Sequence, residues 1–144
     1  MSRVIGLDVG DKKIGVALSD PSQVLATPLK TIIRENDKKA VSEILQLTEK
    51  YGTSTVVIGL PYSLDGSIGK QAEKVLSFSR QIARVIKAEI VMQDERLTSV
   101  SAGQKLREAG KKRSKLKNEI DAAAATIILQ SYLDETNSNS EIIS

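Results

Sequence analysis

Apolar and polar residues follow different rhythms along the 144-residue chain. From Arg3 to Val9 the residues are largely β-branched with an apolar centre. Asp11, Lys12 and Lys13 make a polar turn, and residues 14–18 alternate back, which predicts a β-hairpin. Asp20-Pro21 breaks the pattern before a third extended run over 24–33. Within it Thr27 precedes Pro28, which suits an edge or interrupted strand.

The period then becomes helical. Val41, Ile44, Leu45 and Thr48 share one face of a helix over 37–51, and Gly52 ends it. Residues 55–60 (TVVIGL) are almost continuously apolar, as in a parallel strand buried on both faces. Ile68, Ala72, Val75, Leu76, Ser79, Ile82, Ala83 and Ile86 again keep helical spacing, and 89–93 reads as a fifth strand. Two more helices are expected over 98–109 and 118–133. The order β-β-β-α-β-α-β-α-α predicts an α/β fold. Three antiparallel strands lead into right-handed βαβαβ crossovers, giving one mixed five-stranded sheet flanked by helices. One domain is expected over 1–134, with residues 135–144 a disordered polar tail.

Composition narrows the chemistry. Cys, His and Trp are absent, and one Phe and three Tyr are the only aromatics. This excludes thiolate nucleophiles, imidazole bases, and zinc sites built on Cys or His, and it argues against an aromatic base-stacking platform. Carboxylates, Lys, Ser/Thr and Tyr must carry any acid–base or metal work. The net charge of +3 permits a polyanionic partner without demanding one. No secretory signal and no bilayer-length apolar run is present, so a cytoplasmic protein with no membrane partner is expected.

In α/β sheets, ligands gather at the carboxyl ends of strands. Asp8 lies near the end of the first strand, and Gly10 would let a ligand approach the backbone. Asp94 and Glu95 follow the fifth strand. Asp121 precedes the run Ala122 to Ala125, whose small side chains would let that helix pack closely on the sheet. Taken singly, each Asp suits a cap or a turn. Asp8, however, interrupts a hydrophobic strand, where β-propensity disfavours it. Clustered carboxylates repel one another unless a hard cation neutralises them, and oxygen ligands suit Mg²⁺ or Mn²⁺. Asp94 and Glu95 are neighbours, so a continued pleat turns only one of them to the site.

Two further stretches favour phosphate. Residues 59–66 form a loop leading to Gly69 and Lys70 at a helix start, although the spacing is not that of a P-loop. Residues 105–117 (KLREAGKKRSKLK) hold seven cations against Glu108, beside Asp121. Such a run is often only solvated, but here Lys111, Lys112 and Arg113 could hold a phosphate backbone.

Four ordered motifs carry a family resemblance: Gly6-Leu7-Asp8-Val9-Gly10 with Lys12 and Gly15-Val16-Ala17; Gly59-Leu60-Pro61 with Asp65-Gly66; Asp94-Glu95-Arg96-Leu97-Thr98-Ser99; and Asp121 with Ala123-Ala124 and Leu129-Gln130-Ser131-Tyr132-Leu133. Over residues 3–134 the chain resembles the YqgF family. The resemblance implies a ribonuclease H-like fold related to RuvC resolvases. It also implies a nuclease that matures the 5′ end of precursor 16S ribosomal RNA, with Asp8, Glu95 and Asp121 as catalytic carboxylates. On that basis the expectation is a two-metal nuclease with Mg²⁺ or Mn²⁺ ions about 4 Å apart. Lys12, Arg96 and the 105–117 segment would grip phosphates. Precursor ribosomal RNA, the ribosome and branched DNA are the expected partners, and the chain would act as a monomer or homodimer. The alternatives are a Holliday junction resolvase, a non-catalytic RNA- or ribosome-binding factor, and an actin-like ATPase. The last needs two such domains, and the chain has length for one.

Overall fold

The computed structural model describes residues 2–61, 68–94 and 114–143, with side chains from 122 to 138 in the last stretch. Its elements are β1 (Arg3–Val9), β2 (Lys13–Ser19), β3 (Ala26–Ile33), α1 (Asp37–Tyr51), β4 (Thr53–Leu60), α2 (Lys70–Val85), β5 (Glu89–Asp94) and α3 (Ser114–Ile143). The strands form one sheet in the order β3-β2-β1-β4-β5. β1, β2 and β3 pair antiparallel, while β4 and β5 run parallel to β1, as the sequence pattern predicts. The helix expected over 98–109 lies outside the described residues.

Period-two alternation sorts each strand onto two layers. Ile5, Leu7 and Val9 of β1, Ile14, Val16 and Leu18 of β2, and Val56, Ile58 and Leu60 of β4 face α1 and α2. There they meet Ile44, Val75, Phe78 and Ile82 in the larger core. Val4, Ala17 and Val57 face the other way and pack under Ala125, Ile128, Leu129 and Leu133 of α3.

α1 starts and stops on strong local signals. The Asn36 side chain accepts from the Lys39 N–H at 2.9 Å, a cap that contributes about 1 kcal/mol. Gly52 takes the left-handed conformation at φ 60° and closes the helix onto the Thr48 carbonyl. β3 is an edge strand, and its register on β2 slips between Val16 and Ala17, opposite Lys30 and Pro28. Proline and a bulge together disrupt an edge that could otherwise pair with another chain.

Four expectations are corrected. Val24 and Leu25 precede β3, because both N–H groups are taken by the Asp20 carboxylate at 2.8 and 3.0 Å. Ile68 lies before α2, whose N-cap is Gly69. On α2 Phe78 is fully buried and Ala83 is exposed, so the buried stripe runs through Ala72, Val75, Phe78, Ser79 and Ile82. The polar tail over 135–144, expected to be disordered, instead continues α3 through Ile143. Its first residues have partners: Gln93 donates to Glu135 at 3.2 Å, and Asn137 donates to the Gln23 carbonyl at 3.2 Å. Among the described residues, no helix is long and apolar enough to cross a membrane.

Candidate functional site

Asp8 is half-buried near the carboxyl end of β1, on the face covered by α3. Its cross-strand partner on β2 is Gly15. On the other side, Leu7 pairs with Ile58, and continuing that register by one residue brings Gly59 beside Asp8. The carboxylate thus stands in a row between two residues with no side chain. In a strand pair the opposite Cβ positions normally fill this space at about 5 Å. Here neither flank places a side chain in the row of the carboxylate.

The path of α3 can be traced against the strands. Asn137 reaches Gln23, whose amide donates to the Ser2 carbonyl at 2.7 Å. Gln130 accepts from the Ala26 N–H at 2.9 Å, level with Ser19 and the Val4 end of β1. At Gly6 a Cβ would lie 2.6 Å from the Leu129 Cβ and 3.1 Å from the Ala125 carbonyl oxygen. Glycine at residue 6 therefore sets the close approach of helix to sheet. From residue 137 back to 125, α3 advances from the start of β1 toward its end. Asp121 is one turn further along the same helix, and Asp8 is two residues beyond Gly6. Both steps are about 6 Å, so the helix position of residue 121 advances toward the end of β1 that carries Asp8.

At the edge of the parallel strands, Gly59 pairs with Gln93 and Leu60 with Asp94. Gln93 is buried and bonds to Glu135 of α3, so it shares the face of Asp8. Asp94 stands in the row of Leu60, on the α1/α2 face. The pleat therefore turns Asp94 away from Asp8. Glu95, Arg96, Lys111, Lys112 and Arg113 lie outside the described residues. Among the described residues, no three carboxylates form a metal-binding group.

Gly10 and Lys12 occupy the turn between β1 and β2, at the same end of the sheet. The Gly10 N–H donates to the Lys13 carbonyl at 2.9 Å, and a Cβ on Gly10 would lie 2.8 Å from that oxygen. The hairpin itself thus requires glycine at residue 10, whether or not a ligand approaches. Lys12 is exposed on the turn.

Arg34 escaped the pattern reading, since a lone Arg after a strand carries no periodic signal. Its Nη1 donates to the Gly10 carbonyl at 2.8 Å and its Nε to Asp37 Oδ1 at 2.8 Å. The guanidinium lies 4.6 Å from the centroid of the Phe78 ring. Gln81 donates to the other Asp37 oxygen at 2.9 Å. The hydrogen bond from Arg34, then that from Gln81, holds the Asp37 carboxyl below its usual range. The flanking pair Gly15 and Gly59 is legible in sequence only once the strand register is known.

A sequence model of the family described as "RuvX: Holliday junction resolvase" matches residues 2–135. A Clostridium acetobutylicum protein, described as a candidate pre-16S rRNA nuclease, is 48% identical over 132 residues, covering 92% of this chain and 98% of that protein. A Dehalococcoides mccartyi protein of the same description is 47% identical over 129 residues, covering 90% and 96%. Among solved structures, Thermus thermophilus RuvC in complex with a Holliday junction substrate superposes with a TM-score of 0.56 at 12% identity. That match covers 92% of this chain and 94% of RuvC. It shows a shared fold of the RuvC type.

Proposed function

Because the chain belongs to the RuvX family, whose model spans residues 2–135, we propose that it is a nuclease hydrolysing phosphodiester bonds, with the 5′ end of precursor 16S ribosomal RNA as its substrate. The observation that carries this reading is Asp8: a carboxylate inside a strand, flanked by Gly15 and by the position of Gly59. A structural Asp would be expected at a cap or turn, with side chains packed around it.

The donor set fits a hard divalent cation. Asp8, Glu95 and Asp121 offer only carboxylate oxygens, the chemistry Mg²⁺ and Mn²⁺ take, and the residues flanking Asp8 in the sheet carry no side chain. These three residues would hold the metal. When bound there, such ions would supply a more acidic water and charge neutralisation at the leaving oxygen. The chain's own part is to bring the carboxylates together and to exclude rival ligands. Asp94, in the Leu60 row, would stay outside the set. Lys12, with Arg96 and the cations Lys111, Lys112 and Arg113, would neutralise backbone phosphates, and Gly10 would sit beneath them.

A second reading, cleavage of a four-way DNA junction, is favoured by the family's description and by the RuvC-type fold. One assay separates the two: precursor ribosomal RNA and a four-way DNA junction are incubated with the protein, with and without Mn²⁺. The proposed function requires metal-dependent cleavage of the RNA. Preference for the junction would favour the resolvase, and binding without cleavage would favour a non-catalytic factor. In the same assay Asp8→Asn, Glu95→Gln and Asp121→Asn should each abolish cleavage. Each should also remove the rise in melting temperature that Mn²⁺ gives the wild type. Retention of both by Glu95→Gln would break the three-carboxylate site.

A further inference from the structure

The turn that leaves β1 after Asp8 is held from outside at each of its residues. Arg34 supplies two of these ties: its Nη1 to the Gly10 carbonyl at 2.8 Å and its backbone N–H to the Lys12 carbonyl at 2.9 Å. Lys74 supplies the third, an ion pair with Asp11 at 3.5 Å. The Arg34 side chain is only 14% exposed. A charge so covered needs strong partners, and it has them in Asp37 and the face of Phe78. Phe78 is itself fully buried in the larger core, and Gln81 fixes Asp37 from α2. The guanidinium therefore links the turn to both helices of the opposite layer.

The Gly10 contact is not needed to build the neighbouring elements. The hairpin closes through Gly10 N–H to the Lys13 carbonyl, and α1 is capped by Asn36. What the contact adds is a fixed position for the turn, and the exposed cation on that turn is Lys12.

We propose that Arg34 is a positioning residue for substrate: it clamps the Gly10–Lys12 turn against α1 and α2 so that Lys12 is presented to a phosphate of the nucleic acid beside Asp8. This rests on the nuclease reading and adds to it a residue that never touches the substrate. Arg34 acts through Lys12, so the two should behave as one unit.

The test is a double-mutant cycle on steady-state cleavage of a precursor ribosomal RNA fragment, each variant being assayed well below its own melting temperature. Arg34→Met keeps an unbranched side chain beside Phe78 but removes the guanidinium and both of its hydrogen bonds. It should raise KM about fivefold, the order of one lost phosphate contact, with kcat little changed. The double variant with Lys12→Ala should be no worse than Lys12→Ala alone, because the clamp has nothing left to present. Arg34→Lys keeps a single donor and should recover part of the loss. If Arg34→Met does not fold, Arg34→Lys carries the same cycle with a smaller expected rise in KM. An unchanged KM in a folded Arg34 variant, or losses that multiply with Lys12→Ala, would overturn the clamp while leaving the nuclease reading intact. A wild type that cleaves neither RNA nor junction DNA would overturn both.

Discussion

β1 contributes Ile5, Leu7 and Val9 to one face of the sheet and Val4, Gly6 and Asp8 to the other. The same division holds for its neighbours. β2 gives Ile14, Val16 and Leu18 to the α1/α2 face, while Gly15 and Ala17 lie on the α3 face. β4 gives Val56, Ile58 and Leu60 to the first, and Val57 and Gly59 to the second. Bulky aliphatic residues pack the first face against α1 and α2. At Gly6 the missing side chain lets the α3 backbone approach the sheet closely. Among the described residues, the first layer holds most of the buried apolar side chains. The second gives up side-chain volume, and with it dispersion contacts, for proximity between a helix and a carboxylate.

The two layers should therefore respond differently to substitution. Ile44 is fully buried between α1 and the sheet, so Ile44→Ala should cost about 2–5 kcal/mol in chemical denaturation. Cleavage per folded molecule should be unchanged at low temperature, and a parallel loss of specific activity would show that the layers are not separable. Gly6→Ala should cost less, about 1–3 kcal/mol, because its Cβ must push α3 away from the sheet. It should also reduce specific activity, since the displaced helix carries Asp121. Full activity in folded Gly6→Ala would separate the close approach from the chemistry. The smallest effect belongs to Asp37→Asn. The Asp37 carboxyl has a lowered pKa, so its contribution is present above about pH 4 and is lost as the pH falls through the folded value. The pair is partly exposed, and screening limits the difference to less than about 1 kcal/mol at neutral pH. Melting curves of wild type and Asp37→Asn should converge as the solution is acidified. A constant gap would assign the loss to the hydrogen bonds rather than to ionisation.

Much of this division can be read from the sequence. The β1 bounds, the α1 bounds and the succession of strands and helices along the chain follow from alternation and from Gly52, because local signals there agree with the tertiary fold. Asp8 stands out for a related reason: it violates its own strand. Register is harder to read, since it depends on which residue lies opposite which. The glycine flanks of Asp8 therefore emerge only from the paired sheet. Arg34 was illegible, because its partners Gly10 and Phe78 lie on other elements and share no spacing with it. The extension of α3 was hidden by polar composition. Gln93 and Gln23, both distant in sequence, supply the bonds that tie its later turns down.

The anchors of α3 also bear on the order in which the molecule assembles. Gln130 and Asn137 bond to the chain around residues 23–26, across separations of 104 to 114 residues. α3 follows every strand in sequence, so a nascent chain can pair its strands and cover the bulky face while the small-residue face still lies open. Closure over such long separations is slow compared with local pairing. The small-residue face of the sheet is thus the last part of the fold to be covered.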